Sequence, residues 1–300
     1  MKKLWYFILE TRAGILSTTI LPAALGSSLA YNLGKKFNLL IFWLVLGGYC
    51  LIHLGSNIIN DYFDSIDGTD NINTGFAAPF SGGGRLLQNG KLSRKEILGE
   101  AVLLFAAAAA LFAAVSLKAG SIVIWPAALG TASGIFYSAA PLKISRTGYG
   151  EMLVTAVFGP LIALGAFCAQ AGEFNILPVI ISIPLGLLTA AFVIMAEFPD
   201  READQKTGKK NLVVRLGKKK GVLLFGAVSL LAYAVESACI FRGYVPAAGL
   251  WAIAGMPFSV MAFIELFRKH NTPEKLGFAC AMALIAHFIS GAALVAVFVR

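Results

Sequence analysis

Nine apolar stretches, each about the 20 residues that cross a bilayer core, leave this 300-residue chain little with which to build a water-facing surface. They fall near 14–33, 38–59, 97–117, 121–140, 150–171, 176–196, 221–241, 245–267 and 277–299. Only 14% of the residues are charged against 58% hydrophobic, and the mean hydropathy is +0.76, which excludes a soluble domain of this length. In lipid every backbone N–H and C=O must be satisfied within its own segment, so the stretches are helices. The expected fold is an all-α integral membrane protein, with about nine transmembrane helices in a single bundle forming one transmembrane domain over residues 1–300.

An odd number of spans puts the termini on opposite sides, and the distribution of Lys and Arg then orients the chain. With the N-terminus inside, all of the 25 bases except Lys35, Lys36, Lys118, Arg242 and Arg300 face the cytoplasm. The expected location is the cell inner (cytoplasmic) membrane, multi-pass, with the N-terminus and the long loops cytoplasmic. Much of the +9 net charge, Lys218 to Lys220 in particular, suits anionic membrane lipid, and no nucleic acid partner is expected. The early apolar run is interrupted by Glu10 and Arg12 and lacks a convincing small-residue cleavage site, so the first span is read as retained. Four cysteines lie singly in four spans with no C-x-x-C pair, which offers neither a disulfide framework nor a zinc site.

Only two inner loops are long, about Asn60–Glu96 and Glu197–Lys220, and each opens on an acidic cluster. The segment before the first, Asn38 to Ile59, carries no charge beyond the neutral form of His53, and that before the second, Ile176 to Ala196, carries none. Ionisable groups delivered by lipid-buried helices are costly unless paired or hydrated, and are kept mainly for function. On a helix continuing from the second span, His53, Asn57, Asn60/Asp61 and Asp64 share one face; after the sixth, Glu197, Asp200 and Asp204 form another. If the two ends meet, the pocket is oxygen-rich. Hard divalent cations choose such ligands, and Mg²⁺ is usually held by one or two carboxylates plus substrate phosphates. The plainer alternative is a set of solvated acids balancing nearby lysines. Asp64 and Asp204 stand 140 residues apart, each closing an even-numbered span, a spacing that hints at a duplication of four-helix halves.

Bases near these clusters fit an anionic ligand. Arg12, Arg85, Lys143 and Arg146 lie on the inner side near span ends or in the first long loop, and Arg can bind phosphate oxygens in pairs. Ser81-Gly82-Gly83-Gly84 before Arg85 could expose backbone N–H groups to a phosphate or form a flexible lid. His53 and His287 read as hydrogen-bonded packing residues, while Glu236 and Glu100, in or near spans, could be functional, Glu100 being close enough to the inner edge to reach water.

Together these residues resemble the UbiA-type intramembrane aromatic prenyltransferase superfamily over most of the chain. N-D-Y-F-D at Asn60–Asp64, with Gly68 and Asp70, is similar to the first aspartate motif in the form used by the 1,4-dihydroxy-2-naphthoate (menaquinone-pathway) branch. Asp200-x-x-x-Asp204, followed by Gly208 and the run Leu212–Gly217, is similar to the second. Supporting matches are Arg12 with Pro22 and Gly26, the stretch Gly82–Leu87, and Tyr137 to Lys143 followed by Arg146, Gly148, Gly150 and Glu151. Three positions depart from the branch: Ala196 and Glu197 where an Asn pair is common, Ala140-Pro141 for a Pro pair, and Asn211 for Thr. The first bears on the acceptor.

The resemblance implies a Mg²⁺-dependent transfer of a polyprenyl group from its diphosphate to an aromatic acceptor, 1,4-dihydroxy-2-naphthoate with decarboxylation in that branch. It implies Asn60, Asp61, Asp64, Asp200 and Asp204 as metal ligands, with Asp64, Asp200, Asp204 and Lys143 catalytic. Arg12, Asn57, Arg85, Tyr137 and Arg146 would bind substrate. Alternatives are a relative acting on another quinone precursor or a glycerol-phosphate lipid, a lipid-headgroup transferase, and a secondary transporter with carboxylate ion sites. Transporter sites usually lie near the bilayer midplane, whereas these acids follow a full bilayer's worth of apolar residues.

Overall fold

The computed structural model describes residues 2–299; Met1 and Arg300, the latter counted above among the outer bases, lie outside the described residues. Every regular element among those residues is helical. Eight helices are long and apolar enough to span a membrane: α3 (Leu39–Asp67), α5 (Arg94–Ala119), α6 (Ser121–Ser138), α7 (Gly150–Ala171), α8 (Leu177–Lys206), α10 (Lys218–Phe241), α11 (Ala247–Lys269) and α12 (Gly277–Val299). Among the described residues a further apolar stretch of spanning length exists only as a bent pair, the segment Trp5–Ile15, which contains most of α1 (Lys2–Glu10), meeting α2 (Ser17–Asn32) at 59°. Short helices α4 (Thr69–Ile72) and α9 (Leu212–Leu216) follow the two acidic segments.

Helix α5 packs along α3 as α10 packs along α8. One core joins α3, α5, α6 and α7 around Tyr49, Phe112 and Ile162; another joins α8, α10, α11 and α12 around Phe198, Phe225 and Leu266. Helix α2 lies between them, against both α7 and α12. Large apolar side chains left outside, such as Leu103, Leu117 and Phe241, coat the bundle for lipid.

Where apolar burial is offered equally by lipid, helices associate through close packing on small residues. At the crossing of α7 and α8, a Cβ on Gly186 would stand 2.1 Å from the Thr155 carbonyl oxygen, and one on Gly159 would stand 2.4 Å from that of Ser182. Glycine is what allows the two backbones to touch. The α7 backbone widens to a π turn over Val157–Leu161, where Pro160 can donate no ladder hydrogen bond.

The acidic segments are helical rather than looped. Helix α3 runs two turns past the apolar stretch, with no Gly or Pro between Asn60 and Asp67, and stops at Gly68 (φ 81°). Helix α8 likewise runs on through Pro199 to Lys206, and Gly208 (φ 77°) turns the chain back. The carboxylates therefore sit on helix ends, and the irregular part of each long loop starts beyond them.

Candidate active site at one end of the bundle

The C-terminal ends of α3 and α8 converge on one cavity of about 210 Å³. At its polar end stand Asn57, Asn60, Asp64, Asp70, Glu197, Asp200 and Asp204, with Arg12, Tyr137 and Lys209. Its other end, between the helices, is walled by apolar groups including Ile52, Phe158, Ile162 and Phe192. Such a cavity accepts a molecule with a charged head and an oily tail.

Each acid has a defined set of partners. Asn60 donates from Nδ2 to Asp64 Oδ2 (3.1 Å) and to Ser138 Oγ (2.9 Å), tying α3 to α6. Asp61 turns away from the cavity: its Oδ1 accepts from Arg12 Nη2 (2.8 Å) and its Oδ2 from the Gly84 N–H (2.9 Å). The same Arg12 nitrogen donates to the Asn57 carbonyl (3.1 Å), and Asn57 Nδ2 donates to that of Thr11 (3.0 Å), so the N-terminal bend is fastened to α3. Asp200 is held from the first loop, with Asn73 Nδ2 donating to Oδ1 (2.6 Å) and Gly82 N–H to Oδ2 (3.2 Å). Asp204 Oδ2 accepts from Asn211 Nδ2 (2.8 Å), while its buried Oδ1 accepts no hydrogen bond. Asn211 also caps α9, its Oδ1 accepting from Val214 N–H (2.9 Å).

The glycine run is shaped by these contacts. Gly82 and Gly83 adopt positive φ (77° and 68°), and a Cβ on Gly83 would meet Asp70 Oδ2 at 2.8 Å. Only a bare backbone passes between Asp70 and Asp61.

The bases expected around a diphosphate are placed differently from one another. Arg12 and Tyr137 line the cavity. Lys143 and Arg146 both pair with Asp67, one turn beyond Asp64 and off the cavity wall, Lys143 Nζ reaching its two oxygens at 3.0 and 3.1 Å. Arg146 also donates to the Thr207 carbonyl, which anchors the turn after α8. Arg85, at φ 61°, donates to the carbonyls of Asp70 (2.6 Å) and Asn73 (3.4 Å) and lies over the Phe76 ring, folding the first loop.

One cation inside the cavity is missing from the sequence reading. Lys209 Nζ stands 3.5 Å from Asp64 Oδ2 and 3.4 Å from Asp204 Oδ1, bridging α3 and α8. Burial works against its charge, but Asp204, Asp64, Tyr137 and Asp200 outweigh that and hold the ammonium well above the usual lysine range. In the sequence it is one of eight bases between Arg201 and Lys220. The one available signal is its position directly after Gly208, where the chain reverses toward the helix end it has just left. Asn73, Glu10 and Asp67 were also unforeseen as partners; Glu10 is 1% exposed and packs against Gly84.

Among the described residues no three His, Cys, Asp or Glu side chains stand close enough together to hold a metal ion as placed. The donors nevertheless fit one. Two carboxylates from separate helices already share a single cation, Asp204 Oδ1 is buried with no hydrogen bond, and all the nearby ligands are oxygens. Burial, with repulsion from Asp61, Asp64 and Asp200, pushes the Asp70 carboxyl up to about 8, so further positive charge would be stabilising. Asn60, Asp64, Asp200 and Asp204 are the residues that could hold a hard divalent cation.

Residues 19–295 match the UbiA prenyltransferase family. The chain is 29% identical to 1,4-dihydroxy-2-naphthoate octaprenyltransferase of Bacillus subtilis (strain 168) over 223 residues, 74% of this chain and 70% of that protein. It is 26% identical to 2-carboxy-1,4-naphthoquinone phytyltransferase of Synechocystis sp. over 292 residues, 97% of this chain and 91% of that one. Its fold is that of a UbiA homolog from Archaeoglobus fulgidus bound to DMAPP and Mg²⁺, with a TM-score of 0.63 and 19% identity covering 97% and 99% of the two chains. A structure of digeranylgeranylglyceryl phosphate synthase aligns at a TM-score of 0.62 and 20% identity, over 100% and 99%.

Proposed function

The chain is a member of the UbiA prenyltransferase family and is a multi-pass membrane prenyltransferase, and on that premise we propose that it transfers a polyprenyl group from polyprenyl diphosphate to 1,4-dihydroxy-2-naphthoate, with loss of the acceptor's carboxylate. The observation that carries this reading is the two-ended cavity, with the Asp64, Asp200 and Asp204 carboxylates at one end and apolar walls at the other. The donor has the same two ends. The named activities of the Bacillus and Synechocystis relatives support a naphthoate-type acceptor.

Mg²⁺ held by Asn60, Asp64, Asp200 and Asp204 would stabilise the negative charge that develops on the departing diphosphate. The rest is done by the chain. Asn73, Gly82 and Asn211 orient the carboxylates, and Arg12 and Lys209 supply positive charge to the head of the donor. Lys143, Arg146 and Arg85 would turn from Asp67 and the loop carbonyls toward the diphosphate, or hold the loops that close on it. Phe158, Phe192 and Tyr137 line the cavity, and aromatic rings in that position would shield an allylic cation. Water would capture that cation, and the loop carrying Gly82–Gly84 is the segment placed to exclude it. The sites open to the cytoplasm if the base distribution sets the topology.

A second reading has one observation in its favour. Glu197, on the cavity wall, has a buried Oε2 with no hydrogen-bond partner, and Glu151, whose Oε1 accepts from the Leu212 N–H (2.8 Å), likewise leaves its Oε2 without one. An acidic wall favours an acceptor that brings a hydroxyl over one that brings a carboxylate. Mass detection of products from purified protein, Mg²⁺ and polyprenyl diphosphate, over a panel of dihydroxynaphthoate, other phenols and glycerol-phosphate lipids, tests both. Prenylation of dihydroxynaphthoate alone is the expected result, and prenylation of only a non-carboxylated acceptor selects the second reading.

A further inference from the structure

We propose that Lys209 is a displaceable counter-ion: its ammonium holds the two acidic helix ends together in the metal-free protein, and Mg²⁺ must displace it from Asp64 and Asp204 before the diphosphate can bind. The inference rests on the proposed metal-dependent function and adds a step to it. Three observations point to displacement rather than a fixed structural ion pair.

The first is the quality of the contacts. A committed ammonium–carboxylate bond is about 2.7–2.9 Å long, whereas Lys209 stands at 3.5 Å from Asp64 Oδ2 and 3.4 Å from Asp204 Oδ1. It shares two acceptors loosely. Charge, more than directed hydrogen bonding, keeps it there.

The second is that the carboxylates retain their positions without it. Asp204 Oδ2 is fixed by Asn211 at 2.8 Å and Asp64 Oδ2 by Asn60 at 3.1 Å. Departure of the ammonium frees Asp204 Oδ1, which has no other partner, and half-frees Asp64 Oδ2. Two oxygens would then face the same point from separate helices, as a divalent ion requires.

The third is the tether. Lys209 directly follows Gly208, whose φ of 77° reverses the chain, and the turn is held by its own backbone: Lys209 N–H donates to the Asp204 carbonyl (2.8 Å) and Lys210 N–H to the Arg146 carbonyl (3.1 Å). The backbone can stay in place while four methylenes carry the ammonium elsewhere in the cavity. A released ammonium beside the metal site is placed for the remaining oxygens of a diphosphate.

If the metal-competent state is the one with Lys209 displaced, the apparent affinity for Mg²⁺ is reduced by the fraction of molecules in that state. Removing the ammonium lifts this reduction. Titration calorimetry of purified protein with MgCl₂ alone, without donor, should show Lys209→Met binding Mg²⁺ about tenfold or more tighter than wild type, as expected where the competent state is at most about a tenth populated. Lys209→Arg, which keeps the charge, should bind no tighter than wild type. In wild-type protein, amine acylation read by mass spectrometry at Lys209 should rise on adding Mg²⁺ and fall again on adding inorganic diphosphate. This second measurement does not depend on the variants folding. Wild type that binds Mg²⁺ with Lys209→Met equal or weaker, or with Lys209 acylation unchanged, overturns displacement and leaves the function standing. Wild type that binds no Mg²⁺ overturns the metal-dependent function itself.

Discussion

The two acidic helix ends look alike in sequence, yet each is completed by the chain that follows the other. Asp200, on α8, is held by Asn73 and Gly82 from the loop after α3, whereas Asp64, on α3, faces Lys209 from the turn after α8. The loops differ in kind. About 20 residues with a glycine run separate α4 from α5, against a few residues between α8 and α9. The long loop reaches across and presents backbone N–H groups; the short turn offers one tethered cation. This exchange makes the two ends a single electrostatic unit, and neither half of the bundle contains a complete site.

The most disruptive test of that unity is to neutralise one carboxylate at each end. Asp64→Asn and Asp204→Asn should each lower polyprenyl transfer by about 10²–10³-fold or more, and the double variant should be little worse than either, as for residues that act together. A double loss that multiplies would separate the ends. Chelation of divalent ions should reproduce the loss in wild type, and added Mg²⁺ should reverse it. Diphosphate release is the readout in each case.

Separating the ends mechanically should cost stability first. Gly186→Val forces a side chain toward the Thr155 carbonyl oxygen, 2.1 Å from where its Cβ would lie, at the crossing that sets the spacing of α7 and α8. A loss of about 1–3 kcal/mol is expected, seen as a lower thermal unfolding midpoint in detergent. An unchanged midpoint would mean that the crossing is adjustable.

A smaller effect should distinguish the two ways in which the carboxylates are held. Asn73→Ala removes a donor that comes from the opposite end; Asn211→Ala removes one from the same end together with the α9 cap. Loss of a buried partner costs roughly 1–3 kcal/mol. For Asn73→Ala that should appear as about a tenfold fall in transfer rate with the unfolding midpoint nearly unchanged, and for Asn211→Ala as a fall in both. If both variants lose only stability, the crossed arrangement has no bearing on catalysis.

Much of this was legible in the chain because it depends on local regularities. Apolar length found the spans, helical spacing put Asn57, Asn60 and Asp64 on one face and Glu197, Asp200 and Asp204 on another, and the motif forms identified the family. Lys209 was not legible, since one lysine among eight carries no mark of where its ammonium points. Nor was the role of Asp67, which draws Lys143 and Arg146 off the cavity wall. Such pairings join residues 76 and 79 positions apart, beyond any helical period.

The sequence by itself determined a helical membrane bundle and the two acidic faces, because hydropathy and the 3.6-residue repeat act on neighbours along the chain. Only the tertiary structure decided which cation stands between those faces and which loop secures which carboxylate. Charge acts through space, and folding brings Asp64 at the end of α3 to Asp204 and Lys209 at the end of α8, which the sequence keeps far from it.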